Sequence, residues 1–270
     1  MRIGIVGAGT MAEAIIKGLL GKKLCGPEEL VASAPREERR AFLQYEYGIR
    51  TVRDNAEAAS GASTVILGVK PQTVSTVLPE LRAVLTGKAL VSIAAGITMA
   101  TLEHGSGNQA VVRAMPNTPC LVGEGMTVWV ASPAVQENQI AETRAIFAAL
   151  GRQMQVSNES FLNMATSISG CGPAYLFLLM EAMTDAGVQI GLPRYMAEEL
   201  VTQTVLGAAR LAQETNRHPA ALKNAVTSPG GTAAQALYHL EKGGLRSTMA
   251  EAVLAAYHRA QTLGKEGETH

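Results

Sequence analysis

The sequence predicts an α/β fold in which a doubly wound parallel sheet is followed by an all-α domain. Short apolar runs alternate with helical patterns up to about residue 155, and a β-α-β-α order favours parallel strands with helices on both faces. Beyond that point the strand signals stop, and glycine and proline separate a series of helical patterns. We therefore expect two domains, residues 1–155 and residues 156–270.

The predicted strands are continuous apolar runs, which are typical of strands covered on both faces. They span residues 2–6, 30–33, 64–69, 89–94, 111–114 and 126–130. The helical patterns between them span residues 11–20, 36–47, 73–85 and 100–104. This succession predicts a ligand site at the carboxyl ends of the strands.

Helical patterns fill the second domain, at residues 160–169, 173–191, 193–212, 219–226, 232–242 and 247–263. Pro173, Pro193 and Pro219 suit the first turns of three of these helices. The segment is rich in alanine, leucine and methionine, and it has more apolar faces than one small core requires. We expect the surplus to form a subunit interface. A tight alanine-rich bundle is the alternative.

Composition argues against several kinds of partner. The 270 residues carry 23 basic and 23 acidic side chains, so no positive excess is available to bind nucleic acid. The longest apolar run near the middle of the chain is far shorter than the roughly 20 residues of a membrane span. The three cysteines form no C-x-x-C pair and the five histidines show no metal spacing. We therefore expect a cytoplasmic protein without a metal or a membrane partner.

The first strand leads into a glycine loop, Gly7-Ala8-Gly9-Thr10-Met11-Ala12. Gly7 can make the tight turn, Gly9 lets the backbone approach a pyrophosphate, and Ala12 is the small residue of the third fingerprint position. A helix that begins near Thr10 directs its N–H groups at the phosphates. The strand before the loop and the helix after it therefore predict a Rossmann-type dinucleotide site. The expected contacts are Gly7, Ala8, Gly9, Thr10 and Met11.

The end of the second strand indicates which dinucleotide binds. An NAD site usually places an acid there to bind the ribose 2′-hydroxyl, but this strand ends in Ser33-Ala34-Pro35-Arg36. Ser33 and Arg36 could hold a 2′-phosphate, Arg36 through charge-assisted hydrogen bonds. We therefore expect NADPH, with NADH as the other donor and contacts from Ser33, Ala34 and Arg36. A solvated arginine at a helix start is the alternative role for Arg36.

A second loop follows the third predicted strand as Gly68-Val69-Lys70-Pro71. Pro71 stops the strand and fixes the turn, which leaves Lys70 at the edge of the sheet where ligands bind. We expect Val69, Lys70 and Pro71 to contact the cofactor. For Lys70 the alternative is an ordinary surface lysine.

Three further motifs complete a pattern. They are Arg113-Ala114-Met115-Pro116-Asn117-Thr118-Pro119, Ser169-Gly170-Cys171-Gly172-Pro173-Ala174-Tyr175 and Thr227-Ser228-Pro229-Gly230-Gly231-Thr232. Together with the two loops above, they resemble the pyrroline-5-carboxylate reductase family. The resemblance runs in register from residue 1 to about residue 263, and its last two motifs are specific.

The resemblance implies an enzyme that reduces the C=N bond of Δ1-pyrroline-5-carboxylate to L-proline by hydride transfer from NAD(P)H, the last step of proline biosynthesis. It implies a Rossmann domain followed by an all-helical dimerisation domain, in dimers that often assemble into decamers. Further cofactor contacts are expected at Asn55, Ala95, Met115, Asn117 and Thr118.

The carboxylate of such a substrate requires an anion site. The family binds its substrate between the nicotinamide and the loop that matches residues 227–233. Here that loop precedes a helical pattern, so its two glycines can expose N–H groups and Ser228 can add a hydroxyl. An ordinary Pro-Gly turn is the alternative. The expected substrate contacts are Ser228, Gly230, Gly231, Thr232 and Ala233.

Ala233 departs from the family pattern, in which a threonine at this position is often credited with contacting the substrate nitrogen or assisting protonation. Thr232 stands one residue earlier and would point about 100° away on a helix. Thr232, an ordered water or no group at all could take its place, because a protonated imine bound from solution needs no side-chain acid. Glu159 matches a family position near the ring nitrogen and could favour the iminium. Its alternative role is an exposed glutamate in a first helical turn.

Two other functions stay open. A related reductase of the same architecture could act on a different cyclic imine. The hydroxyacid dehydrogenases use a lysine on the long helix, and this chain has none between Lys88 and Lys223. The chain could also be a dinucleotide-sensing protein that kept the fold without catalysis.

Overall fold

The computed structural model describes the backbone of residues 1–266 and the side chains of residues 1–263. Within these residues no helix has the length and apolar character needed to cross a membrane. The contacts divide the chain into two compact units. The first contains Met1–Cys171 and the C-terminal segment from Ala256, and the second is Gly172–Ala255.

An eight-stranded sheet organises the first unit. Its strands are β1 Ile3–Val6, β2 Leu30–Ser33, β3 Arg50–Val52, β4 Thr64–Leu67, β5 Ala89–Ser92, β6 Val111–Met115, β7 Gly125–Ala131 and β8 Gly151–Gln155. Their order is β3-β2-β1-β4-β5-β6-β7-β8, and β1 to β6 run parallel. The strand order reverses between β1 and β4, which is the ligand-binding position of a doubly wound sheet.

Helices cover both faces of this sheet. They are α1 Thr10–Gly21, α2 Glu37–Tyr47, α3 Asn55–Ser60, α4 Val74–Leu81, α5 Met99–Ser106, α6 Glu137–Ala148 and α7 Ser160–Ala165. Ile66 of β4 packs in one core cluster with Ile15 of α1. Its neighbours Val65 and Leu67 point to the opposite face and pack in a second cluster with Leu78 of α4. The predicted doubly wound α/β fold is therefore confirmed.

The predicted parallel arrangement does not extend to one edge of the sheet. β7 runs antiparallel to β6, because the connection through residues 116–124 is too short for the crossover that a parallel pair requires. β8 follows the full helix α6 and pairs parallel with β7.

The sequence patterns missed β3, β8, α3 and α6. β3 has three residues with one buried side chain, and β8 is largely exposed, so neither forms an apolar run. α3 has only six residues. In α6 the buried positions include Gln139 and Thr143 beside Ile146 and Phe147, and these polar residues hide the apolar periodicity of the helix.

The first compact unit extends beyond the change in composition at residue 155. Leu162 of α7 is buried in one cluster with Val128 and Val130 of β7, so the first helix after the sheet packs on the sheet. Residue 155 thus marks the end of the strands, whereas the compact unit continues to Cys171.

The second unit is helical. Its helices are α8 Gly172–Gln189, α9 Arg194–Thr215, α10 Pro219–Ala225, α11 Thr232–Lys242 and α12 Leu245–Glu266, whose C-terminal part belongs to the first unit. Across residues 172–255 the structure buries only Thr184, Ala197 and Val201. Large apolar side chains are exposed instead, including Phe177 at 62% and Leu178 at 67%. A single copy of the chain therefore gives this unit almost no core.

Candidate functional site

The carboxyl ends of the strands bring the predicted cofactor residues to one edge of the sheet. Each of them ends a strand or lies shortly after one. They are Gly7, Ala8, Gly9, Thr10 and Met11 after β1, Ser33, Ala34 and Arg36 at the end of β2, Asn55 after β3, Val69, Lys70 and Pro71 after β4, Ala95 after β5, and Met115, Asn117 and Thr118 at the end of β6.

Gly7 carries the turn from β1 into α1. Its φ is +86°, in the left-handed region that glycine adopts without strain. A Cβ at this position would collide with the side chain and the backbone nitrogen of Val69. The N–H of Gly68 also donates to the carbonyl of Val6 at 2.8 Å. The loops after β1 and β4 can therefore touch at the switch point because Gly7 has no side chain.

Gly9 faces open space at the N-terminus of α1. A Cβ at Gly9 would meet no heavy atom within 4 Å. The first N–H groups of a helix lack intrahelical acceptors and carry the positive end of its dipole. Unfilled space beside such donors fits the pyrophosphate of a dinucleotide.

Arg39 holds the backbone of the glycine loop in place, a role that the sequence patterns did not predict. Its Nε donates to the carbonyl of Ala8 at 2.8 Å and its Nη2 to that of Gly9 at 3.2 Å. The same guanidinium forms an ion pair with Glu13 of α1. Helical spacing could have indicated this inward-facing role. Arg39 lies one turn before the fully buried Leu43 and therefore shares the inward face of α2.

Tyr47 completes this cluster two turns further along α2. Its hydroxyl donates to Oε1 of Glu13 at 2.9 Å. Desolvation first, and then the hydrogen bond to Glu13, raise the pKa of Tyr47 to about 12. The tyrosine therefore stays neutral at physiological pH and holds the carboxylate of Glu13 against Arg39.

Ser33 does not present its hydroxyl to solvent, as a direct contact with a 2′-phosphate would require. The residue is fully buried, and its Oγ donates to Oδ1 of Asn55 at 2.7 Å while accepting from the N–H of Gly7 at 3.3 Å. The N–H of Ala8 also donates to the carbonyl of Ser33 at 2.9 Å. The structure therefore uses Ser33 to connect three loops of the site, a role that differs from the expected one.

Arg36 is exposed at the N-cap of α2. The other arginines of this helix are held by the protein, since Nη1 of Arg40 donates to the carbonyls of Ala34 and Pro35 at 2.8 and 2.9 Å. Among the described residues, Arg36 makes no hydrogen bond or ion pair of this kind. Its guanidinium is therefore the available cation at the end of β2.

Three more predicted residues are exposed at the same edge of the sheet: Lys70, Ala95 and Thr118. Pro71 begins a single 3₁₀ turn, Pro71–Thr73, directly after Lys70. Its fixed φ holds that short turn.

Asn117 fixes the turn after β6 through contacts within the protein. Its Oδ1 accepts from the N–H of Met126 at 2.8 Å, and its Nδ2 donates to the carbonyl of Ser169 at 3.0 Å. Ser169 belongs to a π-helical turn, Thr166–Gly170. A Cβ at Gly170 would lie 2.9 Å from Cε of Met115. The side chain of Asn117 therefore shapes the turn, and a direct contact with a cofactor stays a prediction.

Glu159 holds a buried cation. Its Oε1 accepts from Nη1 of Arg113 at 2.6 Å and from the N–H of Met99 at 2.7 Å. The side chain of Arg113 is 7% exposed and that of Glu159 is 32% exposed. The carboxylate therefore ties β6, α5 and α7 together. A contact between Glu159 and the substrate nitrogen stays a prediction. The signal for it was an arginine inside an apolar strand, which requires a partner.

The predicted substrate loop lies in the second unit, before α11. Gly230 has a φ of +70°, and the N–H of Gly231 donates to the carbonyl of Ser228 at 3.0 Å. Gly231 is the N-cap of α11, and no side chain caps the helix. Thr232 and Ala233 are its first two residues. Their N–H groups precede the first intrahelical hydrogen bond and can therefore bind an anion.

Two family models match the chain. The model "Pyrroline-5-carboxylate reductase dimerisation" matches residues 159–263. The model "NADP oxidoreductase coenzyme F420-dependent" matches residues 2–96. The first match corresponds to the helical part of the chain. The second corresponds to the N-terminal strands and the glycine loop that follows β1.

Individual proteins match over the full length. A pyrroline-5-carboxylate reductase of Synechocystis is 45% identical over 266 residues, which cover 98% of this chain and 99% of that protein. The solved pyrroline-5-carboxylate reductase of Coxiella burnetii is 38% identical with a TM-score of 0.91 over 97% of this chain and 98% of that chain. The Plasmodium falciparum pyrroline carboxylate reductase, solved with NADP bound, is 32% identical with a TM-score of 0.89 over 98% of both chains.

We expect Gly9→Ala to fold normally and to lose affinity for NADPH. The new methyl meets no protein atom within 4 Å, but it occupies the space assigned to the pyrophosphate. The melting temperature should stay near that of the unmodified protein. The dissociation constant measured by titration calorimetry should rise about tenfold or more, equivalent to about 1.4 kcal/mol. An unchanged constant would show that the phosphates do not lie over Gly9.

We expect Glu159→Ala to lower the free energy of unfolding by about 2 kcal/mol, because the buried charge of Arg113 loses its partner while Glu159 itself is partly solvated. Urea unfolding can be followed by the fluorescence of Trp129, the single tryptophan of the chain, which is fully buried in β7. The control is Glu57→Ala, which breaks an exposed pair with Arg50 and should cost about 0.5 kcal/mol or less. Equal losses would contradict the role assigned to Glu159.

Proposed function

Since the chain belongs to the pyrroline-5-carboxylate reductase family, we propose that it reduces the C=N bond of Δ1-pyrroline-5-carboxylate to L-proline, the last step of proline biosynthesis. The observation that carries this proposal is the match over the whole length of the chain. It includes both the glycine loop and the loop before α11, so one chain carries a dinucleotide site and an anion site. A carboxylated imine and a hydride donor are the pair that these two sites suit.

NADPH is the proposed hydride donor, and NADH is the second. The free N–H groups of α1 and the open space at Gly9 suit the pyrophosphate that both share. Arg36 binds the 2′-phosphate of NADPH, since Arg39 and Arg40 are already held by backbone carbonyls. The Plasmodium falciparum relative solved with NADP bound supports this choice.

The reduced nicotinamide supplies the hydride. The residues of the chain hold the acceptor: Gly230, Gly231 and the first residues of α11 donate N–H groups to the substrate carboxylate, and Ser228 adds its hydroxyl. The turn after β6, fixed by Asn117, keeps one wall of the cofactor site rigid. Orientation and desolvation of the imine then provide most of the rate enhancement.

The proton on the substrate nitrogen comes from solution in this proposal. A protonated imine accepts a hydride at carbon and becomes a neutral amine without further proton transfer. No side-chain acid is therefore required. Thr232 or an ordered water can hydrogen-bond the nitrogen in place of the hydroxyl that Ala233 lacks, while Glu159 stays committed to Arg113.

We propose a homodimer formed through the helical unit, which can assemble further into a decamer. The unit buries only three side chains across residues 172–255, and an apolar surface of this extent requires a covering partner. The matched family model is described as a dimerisation domain. Cytoplasmic location is proposed because Cys25, Cys120 and Cys171 are all unpaired, as in a reducing compartment.

The decisive experiment measures NADPH oxidation with Δ1-pyrroline-5-carboxylate and identifies proline as the product. The corresponding six-membered cyclic imine carboxylate is the competing substrate. Faster turnover of that compound would favour the related-reductase alternative. NADPH binding without turnover of either imine would favour the dinucleotide-sensing alternative.

We expect Ala233→Thr to raise kcat about fivefold, because it restores one hydroxyl worth about 1 kcal/mol near the substrate nitrogen. Ala234→Thr adds the same group one residue later on α11 and should leave kcat nearly unchanged. An unchanged or lower rate for Ala233→Thr would favour Thr232 or water as the existing partner of the nitrogen.

We expect Arg36→Ala to raise the KM for NADPH about tenfold and to change the KM for NADH less than about twofold, because only NADPH offers a phosphate to the guanidinium. Arg53→Ala removes an exposed arginine after the neighbouring strand β3 and is the control. Equal effects of Arg36→Ala on the two cofactors would refute the assignment.

A further inference from the structure

A chain of hydrogen bonds connects the glycine loop to a surface carboxylate. The N–H of Gly7 donates to Oγ of Ser33 at 3.3 Å, and this hydroxyl donates to Oδ1 of Asn55 at 2.7 Å. Nδ2 of Asn55 then donates to Oε2 of Glu80 at 2.8 Å. Glu80 is an exposed residue near the end of α4. The carboxylate therefore lies two hydrogen bonds from the side chain of Ser33.

The position of Ser33 relates the carboxylate of Glu80 to the cofactor site. Ser33 ends β2, where an NAD site usually places the acid that binds the ribose 2′-hydroxyl. No acid stands at residues 33–36. Glu80 brings a negative charge close to the same place from α4, with Asn55 between the two.

Two other acids near Asn55 are engaged elsewhere. Oδ1 of Asp54 accepts from the N–H of Glu57 at 2.7 Å and caps α3. The carboxylate of Glu57 pairs with Arg50. Glu80 is therefore the carboxylate that contacts Asn55 and orients its amide.

We propose that Glu80 sets the cofactor preference by opposing the 2′-phosphate of NADPH, against the attraction of Arg36. A phosphate carries about −1.5 to −2 charges at pH 7, whereas the 2′-hydroxyl of NADH is neutral. A nearby carboxylate therefore repels one cofactor and leaves the other almost unaffected. The opposing charges of Arg36 and Glu80 would limit the advantage of NADPH in affinity, so that NADH stays in use as a second cofactor. The inference rests on the proposed function only for the identity of the cofactors.

The variant Glu80→Gln removes the charge and keeps an oxygen that can accept from Nδ2 of Asn55. We expect the dissociation constant for NADPH, measured by titration calorimetry on the full chain, to fall roughly two- to tenfold. The constant for NADH should change less than about twofold. Glu80→Lys should enlarge the NADPH effect, and added salt should reduce it.

Glu57→Gln is the matched control, because it removes an exposed negative charge two residues after Asn55 on α3. It should leave the ratio of the two dissociation constants unchanged. Equal shifts for NADPH and NADH in Glu80→Gln would overturn the inference. So would an NADPH shift of the same size in Glu57→Gln, because the effect would then come from general surface charge.

Binding and turnover separate this inference from the proposed function. If the unmodified protein binds both cofactors but reduces no pyrroline carboxylate, the proposed function fails while the binding ratios still decide the role of Glu80. If the unmodified protein binds neither cofactor, both ideas fail.

Discussion

The close approach of the loops after β1 and β4 is the constraint on which the site depends. It exists because Gly7 has no side chain where Val69 lies. The contact sets where α1 begins, and therefore where its free N–H groups point. Arg39 then holds the carbonyls of Ala8 and Gly9, so the loop is already shaped before any ligand arrives. Such preorganisation lowers the entropy cost of binding.

The charges around this loop divide into two groups with different tasks. Arg39 and Glu13 neutralise one another in a partly buried ion pair, to which the neutral Tyr47 donates a hydrogen bond, and Arg39 holds backbone in place. Arg36 and Glu80 are exposed, and we propose that they act in opposite directions on the ribose phosphate of a cofactor. The first group supports the architecture that a dinucleotide needs, whereas in the proposal the second group sets which dinucleotide is preferred.

Much of this organisation could be predicted from the sequence, for identifiable reasons. Strands buried on both faces are continuous apolar runs, and the glycine loop is recognisable because its residues are adjacent in the sequence. β8 and α6 could not be predicted, because exposed or polar residues interrupt their patterns. The roles of Arg39, Ser33 and Glu159 depend on partners at least 22 residues away, and no local pattern specifies such pairings.

The nearly coreless helical unit has a consequence for the behaviour of the protein in solution. Its few buried residues cannot offset the conformational entropy of ordering so many helical residues. In the proposed dimer, folding of this unit and association of two chains are then one equilibrium, governed by mass action. The loop proposed to receive the substrate carboxylate belongs to this unit. Catalytic competence would therefore depend on protein concentration, and dilution alone would lower the specific activity.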